Sequence, residues 1–406
     1  MKLQQIDTFI TANPPPGFGG RYFIFVKLTT ACGITGIGEI YSAAFAPEIV
    51  CKMAEDVFAR YLEAQSPHHI ERFWRRAHGS GFTHRPDSNM QAVISGLEMA
   101  CWDIVGKAHD LPVYELLGGM VNERLRSYSY IYPSADQDPA HFYSDAQASA
   151  EAAAKLVRDG FTAVKFDPAG QYTVFDGRMP DLEALQRSVN FCRLIREAVG
   201  DAVDLLFGTH GQFTAAGAIR LAKQLEPFDP LWFEEPTPPD MPEEMARVAN
   251  GTSIPVATGE RLCSKFEFSR VLDLGAAAIL QPNLGRVGGL LEGKKIAAMA
   301  ETKYVQIAPH LYCGPVVAAA NIQLAACTPN FLIAESIGKM DGFHAKLLKT
   351  PLQWEEGFLI PPTAPGLGVE LDEDVIAAHP WSGDSLHLQM GQEPYDPVRD
   401  RLFPGG

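Results

Sequence analysis

The sequence is short of positive charge. Lys and Arg number 34 against 49 Asp and Glu, a net charge of −15. That balance argues against nucleic acid or an anionic membrane as a partner. It leaves room for a small anionic substrate held locally by a few basic groups. No apolar run approaches the roughly 20 residues that cross a bilayer. The opening MKLQQIDTFITANPPPG lacks the long apolar stretch and small-residue cleavage site of a signal peptide. The seven cysteines include no CxxC pair, so they read as reduced thiols in a cytoplasmic protein. There is no low-complexity segment. No Gly-rich fingerprint follows the first strand-like run of the larger region, which argues against a dinucleotide-binding open sheet.

What is present is length and alternation. The 406 residues, 46% of them apolar, suit a barrel of roughly 250 residues plus a second module. RYFIFVKLTT and ITGIGEIY, joined by Ala31, Cys32 and Gly33, read as a hairpin. Helical patterns follow at 46–63, 69–77 and 88–108, the last with Val93, Ile94, Leu97, Cys101 and Ile104 on one stripe. From about residue 126 short apolar runs alternate with helical stretches. The runs are SYSYIY, TAVKF, VDLLF, LWF, IPVAT, AAIL, YVQIA and FLIA. Helical patterns lie at 214–226, 241–249, 264–274 and 288–302, and Ser264 with Glu267 makes a capping-box signature. Eight such units point to a closed parallel barrel. The expected organisation is an α+β capping module over 1–122, a (β/α)8 TIM-like barrel over 123–361, and a segment over 362–406 that returns to the cap. Cys101 and Cys192 read as core. Cys313, three residues after His310, is better read as packing than as a nucleophile.

Barrels of this kind carry their chemistry at the C-terminal ends of the strands. The residues that follow the runs are Asp167, then Gly208, Thr209 and His210, then Glu234 and Glu235, then Gly259 and Glu260, then Gln281 and Asn283, then His310, then Glu335. Gly208, Glu234 and Glu260 recur every 26 residues; Asn283, His310 and Glu335 follow at spacings of 27 and 25. One strand–helix repeat separates each from the next, which sets them at one level. Carboxylates on adjacent strands repel unless a cation lies between them, and oxygen ligands suit Mg2+. The plainer alternative is ion pairing of Glu234 and Glu260 with Lys165, Arg261 or Lys265.

WFEEP at 232–236, ATGERL at 257–262, ILQPNLGRVGG at 279–289 and IAPH at 307–310 resemble the enolase superfamily. The likeness is greatest to its mandelate racemase subgroup, and within that to galactonate dehydratases. SGLEMACWDIVGKAHDLPVYELLGG at 95–119 and PGLGVELDED at 365–374 extend the resemblance over nearly the whole chain. It implies a sugar-acid (aldonate) dehydratase: Mg2+ holds the substrate carboxylate, a base removes the α-proton, and the β-hydroxyl leaves. It assigns Glu234 and Glu260 to the metal, His310 to the base and His210 to the acid. It selects Glu234 over Glu235, since adjacent strand residues face opposite ways.

Two positions depart from the family pattern. Gly208 stands where the first metal ligand, an Asp, is expected. Asn283 stands where an Asp usually orients the base histidine. Asp167 is the proposed replacement ligand, and Lys165 a second candidate base or oxyanion partner. Substrate-binding candidates are Arg21 and Arg85 with His84 on two turn-rich loops, Arg286, Glu335, and Tyr172, Asp176 and Arg178 in the segment after strand two. A sugar-acid cycloisomerase or racemase, and a barrel that only binds, are the alternatives. Family habit makes a homo-oligomer the expectation.

Overall fold

In the computed structural model, residues 1–82, 85–134, 136–170, 173, 177–388 and 393 are described. They form two compact units. The first takes in 1–126, 260–268 and 282–389; the second takes in 127–259 and 269–281.

The first unit opens with three antiparallel strands, β1 (Leu3–Ala12), β2 (Tyr22–Thr30) and β3 (Thr35–Ile40), in the order β1-β2-β3. β2 and β3 are the expected hairpin, pairing from Ile24↔Ile40 to Thr29↔Thr35. β1 carried no clear signal, because it is a largely half-exposed edge strand of mixed polarity. Helices α1 (Pro47–Tyr61), α2 (Ile70–His78) and α3 (Ser88–His109) cover the sheet. Asp87 caps α3, accepting from the Asn89 and Met90 N–H groups. β3 runs against α3 so closely that a Cβ at Gly38 would lie 1.8 Å from the Gly96 carbonyl oxygen. Only glycine fits there.

Three buried acids of this module reach backbone donors elsewhere in the unit. Glu39 accepts from the N–H groups of Gly314, Val316 and Val317 at the start of helix 315–326. Glu98 accepts from Leu290 and Leu291 at the start of helix 290–301. Asp103 accepts from Ile37 and Leu367. Neither helix has a side-chain cap of its own, so Glu39 and Glu98 meet the orphan donors. The C-terminal stretch lies along the same strands: Ala12 N–H donates to His379 O, and Arg21 N–H to His387 O.

The second unit is the parallel run β4 (Leu125–Tyr130), β5 (Ala163–Phe166), β6 (Asp204–Gly208), β7 (Trp232–Glu234), β8 (Val256–Thr258) and β9 (Ile279–Leu280), interleaved with helices 146–158, 182–199, 215–225 and 242–249. The register sets Lys165 beside Leu206, Gly208 beside Glu234, and Glu234 beside Ala257. With β10 (Gln306–Ile307) and β11 (Ala334–Ser336) in the first unit, the eight expected strands follow in order, although β11 begins only at the last residue of FLIA. The fold is a (β/α)8 barrel with an α+β capping module. All seven cysteines are free thiols. Among the described residues no helix is long and apolar enough to cross a membrane.

Candidate active site

Within the second unit the polar residues gather where β5, β6 and β7 end. Thr209 N–H and Oγ1 both donate to the Glu234 carbonyl, and Gly211 N–H donates to the Glu235 carbonyl at 2.7 Å. This clasp turns the chain sharply. His210 and Glu235 take left-handed backbone, with φ of 50° and 40°. Such conformations cost of order 1–3 kcal/mol each and concentrate at functional sites.

Glu234 is the centre of this cluster. Lys165 Nζ lies 2.7 Å from its Oε1, and the two side chains are 3% and 2% exposed. Its Oε2 accepts from Trp232 Nε1 at 3.0 Å and from Gln281 Nε2 at 2.8 Å. Trp232 sits two residues before Glu234, on the same strand face. Asp167 is engaged elsewhere. Its Oδ1 accepts from the Ala169 N–H at 3.0 Å, and its Oδ2 faces His210 Nδ1 at 3.3 Å and Gln212 Nε2 at 3.4 Å.

This donor set does not fit the Mg2+ site that the resemblance implies. Glu234 takes three hydrogen-bond donors across its two oxygens, Gly208 offers no ligand, and Asp167 is turned to His210. A divalent ion on Glu234 would also face the Lys165 ammonium. Charges of +2 and +1 about 4 Å apart repel by about 8 kcal/mol at an effective dielectric of about 20. Among the described residues, no group of three or more His, Cys, Asp and Glu is placed to hold a metal.

Within the first unit the second cluster forms on Glu260, Asn283, His310 and Glu335. Asn283 Nδ2 lies 2.9 Å from His310 Nδ1, and Asn283 Oδ1 accepts from the Gly285 N–H at 2.8 Å. The Gly285 donor fixes which end of the amide faces the histidine. A Cβ at Gly285 would meet Tyr41 Cβ at 2.9 Å, so this turn needs glycine. His310 Nε2 lies 3.3 Å from Glu260 Oε2 and 4.0 Å from Glu335 Oε2. Glu335 also accepts from the Leu311 N–H. Arg286 stacks over the Tyr41 ring at 4.3 Å and donates to the Glu260 carbonyl. Burial pushes the Tyr41 hydroxyl and the Cys313 thiol well above their ordinary values, so Cys313 is not poised as a nucleophile.

The remaining candidates scatter. Arg21 and Arg85 are exposed. Arg178 donates to Gln212 Oε1 at 3.2 Å. His84, Tyr172 and Asp176 lie outside the described residues. Sequence reasoning passed over Trp232 and Gln281 as partners of Glu234, although strand alternation marks the first and its place after AAIL marks the second. It also passed over Tyr41, and His387, whose buried ring lies 5.1 Å from that of Tyr41. Burial pushes His387 down to about 3.

Residues 17–118 match the mandelate racemase/muconate lactonizing enzyme N-terminal domain, and residues 147–375 match the enolase C-terminal domain-like family. The chain belongs to the mandelate racemase subgroup of the enolase superfamily. Members of that superfamily generally use Mg2+. Among individual relatives, D-galactonate dehydratase of Ralstonia nicotianae is 35% identical over 382 residues, 93% of this chain and 94% of that protein. A Labrenzia alexandrii protein of the mandelate racemase/muconate lactonizing type shares 64% identity at a TM-score of 0.95, covering 98% of this chain and all of that one. A Sulfitobacter mandelate racemase/muconate lactonizing enzyme shares 55% at a TM-score of 0.95, with coverage of 98% and 100%.

Proposed function

We propose that the protein is a sugar-acid dehydratase, a carbon–oxygen lyase that converts an aldonate to its 2-keto-3-deoxy acid. The observation that carries this reading is the pair of histidines at barrel-strand ends. Each is held by a partner at its Nδ1: His210 by Asp167 and His310 by Asn283. Dehydration next to a carboxylate needs a group to take the α-proton and a group to deliver a proton to the departing hydroxyl. Histidine suits both because its ordinary pKa lies near working pH. The family resemblance gives the α-proton to His310 and the hydroxyl to His210. Identity to named D-galactonate dehydratases over nearly the whole chain supports the reaction class.

The chemistry balances without a redox partner. The Cα–H pair moves toward the carboxylate, giving an enediolate. That pair then forms the Cα=Cβ bond as the β-oxygen departs with its own bonding pair and a proton, as water. The enol left behind tautomerises to the 2-keto acid. Lys165 is suited to hold a carboxylate or enediolate oxygen, since an ammonium favours the charge that develops there. Arg286 and Glu335 are suited to bind the hydroxylated chain.

The test is a panel of aldonates incubated with the full chain, with 2-keto acid read by semicarbazone absorbance. Formation of keto acid from one or a few of them is expected, falling about 10²–10⁴-fold when either histidine is replaced by Asn. Conversion to an isomer of equal mass, with no keto acid, would overturn the dehydratase reading in favour of a cycloisomerase.

A further inference from the structure

We propose that His68 and His109, on the exposed surface of the capping module, form a binding site for a divalent transition ion of the Zn2+ type, which ties the start of α2 to the end of α3. The proposal is independent of the reaction and of any ion that the reaction uses.

The geometry carries it. His109 lies in the last turn of α3, and His68 stands two residues before the first residue of α2. Both are exposed. Although 41 residues separate them in the chain, their Nε2 atoms are 3.2 Å apart. The rings meet edge-on, at 88° and 5.4 Å between centroids, so nitrogen meets nitrogen rather than ring face meeting ring face. A tetrahedral zinc ion holds two imidazole nitrogens at about 2.0–2.1 Å, which sets them about 3.3–3.4 Å from each other. The pair already stands close to that spacing, and a small turn of the two rings aims both lone pairs at one ion.

The chemistry around the pair agrees. Without an ion, one neutral imidazole donates to the other. Ser66 Oγ lies 3.3 Å from His68 Nδ1, which suits a proton on Nδ1 and leaves His68 Nε2 as the acceptor. Ser66 Oγ is itself placed by the His68 backbone N–H at 3.3 Å. Metal-bound histidines take such a hydrogen-bond partner at the far nitrogen. Ion capture displaces only the shared proton, which moves from His109 Nε2 to its Nδ1. Both rings must be neutral to bind. Partial burial, and then the charge of His109, push His68 below its ordinary value, which keeps it neutral near pH 7. Imidazole suits Zn2+, Ni2+ and Cu2+, whereas Mg2+ prefers oxygen. Water completes the shell. An ion bridging positions 41 residues apart closes a long loop of the module, and clips on long loops gain the most in principle.

The test is calorimetric titration of the full chain with ZnCl2 after EDTA treatment and dialysis, in about 5 mM Mg2+ to fill oxygen-ligand sites. The parent is compared with His68→Ala, His109→Ala and the double variant. Half the ligand set of a structural zinc site gives an expected dissociation constant of about 1–200 µM. Each single variant should weaken that binding at least about 10-fold, since even an outer partner of a ligand is worth about 10–100-fold. The double variant should lose little more than either single one. Both positions are exposed, so melting temperatures without metal should stay within about 2 °C of the parent. A second readout is specific to the site: modification by diethyl pyrocarbonate, mapped on peptides. Zn2+ should protect His68 and His109 together and leave exposed His141 reacting as before. Equal zinc binding by the parent and the double variant overturns the proposal. So does binding retained in either single variant, no binding up to about 1 mM, or protection of one histidine without the other.

Discussion

Replacing Lys165 tests whether Glu234 is committed to an internal cation. Lys165 and Glu234 are 3% and 2% exposed and 2.7 Å apart. Removing one partner of such a pair strands the other charge, at about 3–5 kcal/mol. Lys165→Met leaves Glu234 with donors on Trp232 and Gln281, which sets the loss near the lower end, about 3 kcal/mol. Glu234→Gln strands the ammonium and belongs nearer the upper end, about 4–5 kcal/mol. The double variant replaces the pair by neutral groups of similar volume and should cost only about 0–1 kcal/mol. Urea unfolding of all four proteins then yields a coupling of several kcal/mol. Repeating it in 5 mM Mg2+ adds a second reading. A metal bound with a Kd of about 50 µM would raise stability by about 2.7 kcal/mol through mass action, whereas none is expected. Single variants costing under about 1 kcal/mol, strictly additive losses, or a clear Mg2+ stabilisation would refute the reasoning.

Gly208→Asp should fold normally, since its Cβ would lie 3.4 Å from Lys165 Cε; with Lys165 still on Glu234, Mg2+ calorimetry should show no binding, and tight binding would contradict the reading that the ammonium excludes the ion. Asn283→Ala should lower kcat about 10–100-fold, because His310 loses the amide 2.9 Å from its Nδ1; an unchanged rate would contradict a positioning role for Asn283. Cys313→Ala should leave turnover within about threefold, because a thiol raised by burial takes no part in the reaction. Burial pushes Glu39 up to about 7 and Glu98 up to about 8, so the stability each contributes when protonated is lost as pH rises from about 4.5 through those values. Burial pushes His344 down to about 4 and His387 down to about 3, so theirs is present above about 6.5 and lost as pH falls. The opposing pairs predict a melting temperature nearly flat from about pH 4.5 to 6.5 and falling on both sides; a rise continuing through pH 8 would contradict it.

The barrel was legible because each strand is a short apolar run ended by a polar residue. Eight such runs at nearly constant spacing leave few alternatives, and TAVKF, VDLLF and LWF became β5, β6 and β7 almost residue for residue. β1 escaped because an edge strand half open to water need not be apolar. Side-chain partners were less legible. Nothing local in the sequence says that Asp167 faces His210, or that Gly285 pins the Asn283 amide, since these depend on loop geometry across separate strand ends. Gly208 and Asn283 could be read as departures, but their consequences could not. A missing carboxylate looks like a weakened metal site until Lys165 is found on Glu234.

The most direct measurement is proton NMR of the reaction in deuterated water with a panel of aldonates. The protein, treated with EDTA and given no metal, is predicted to convert its substrate to a 2-keto-3-deoxy acid carrying deuterium at C3. A product isomeric with the substrate, or turnover only after Mg2+ is restored, would contradict the account.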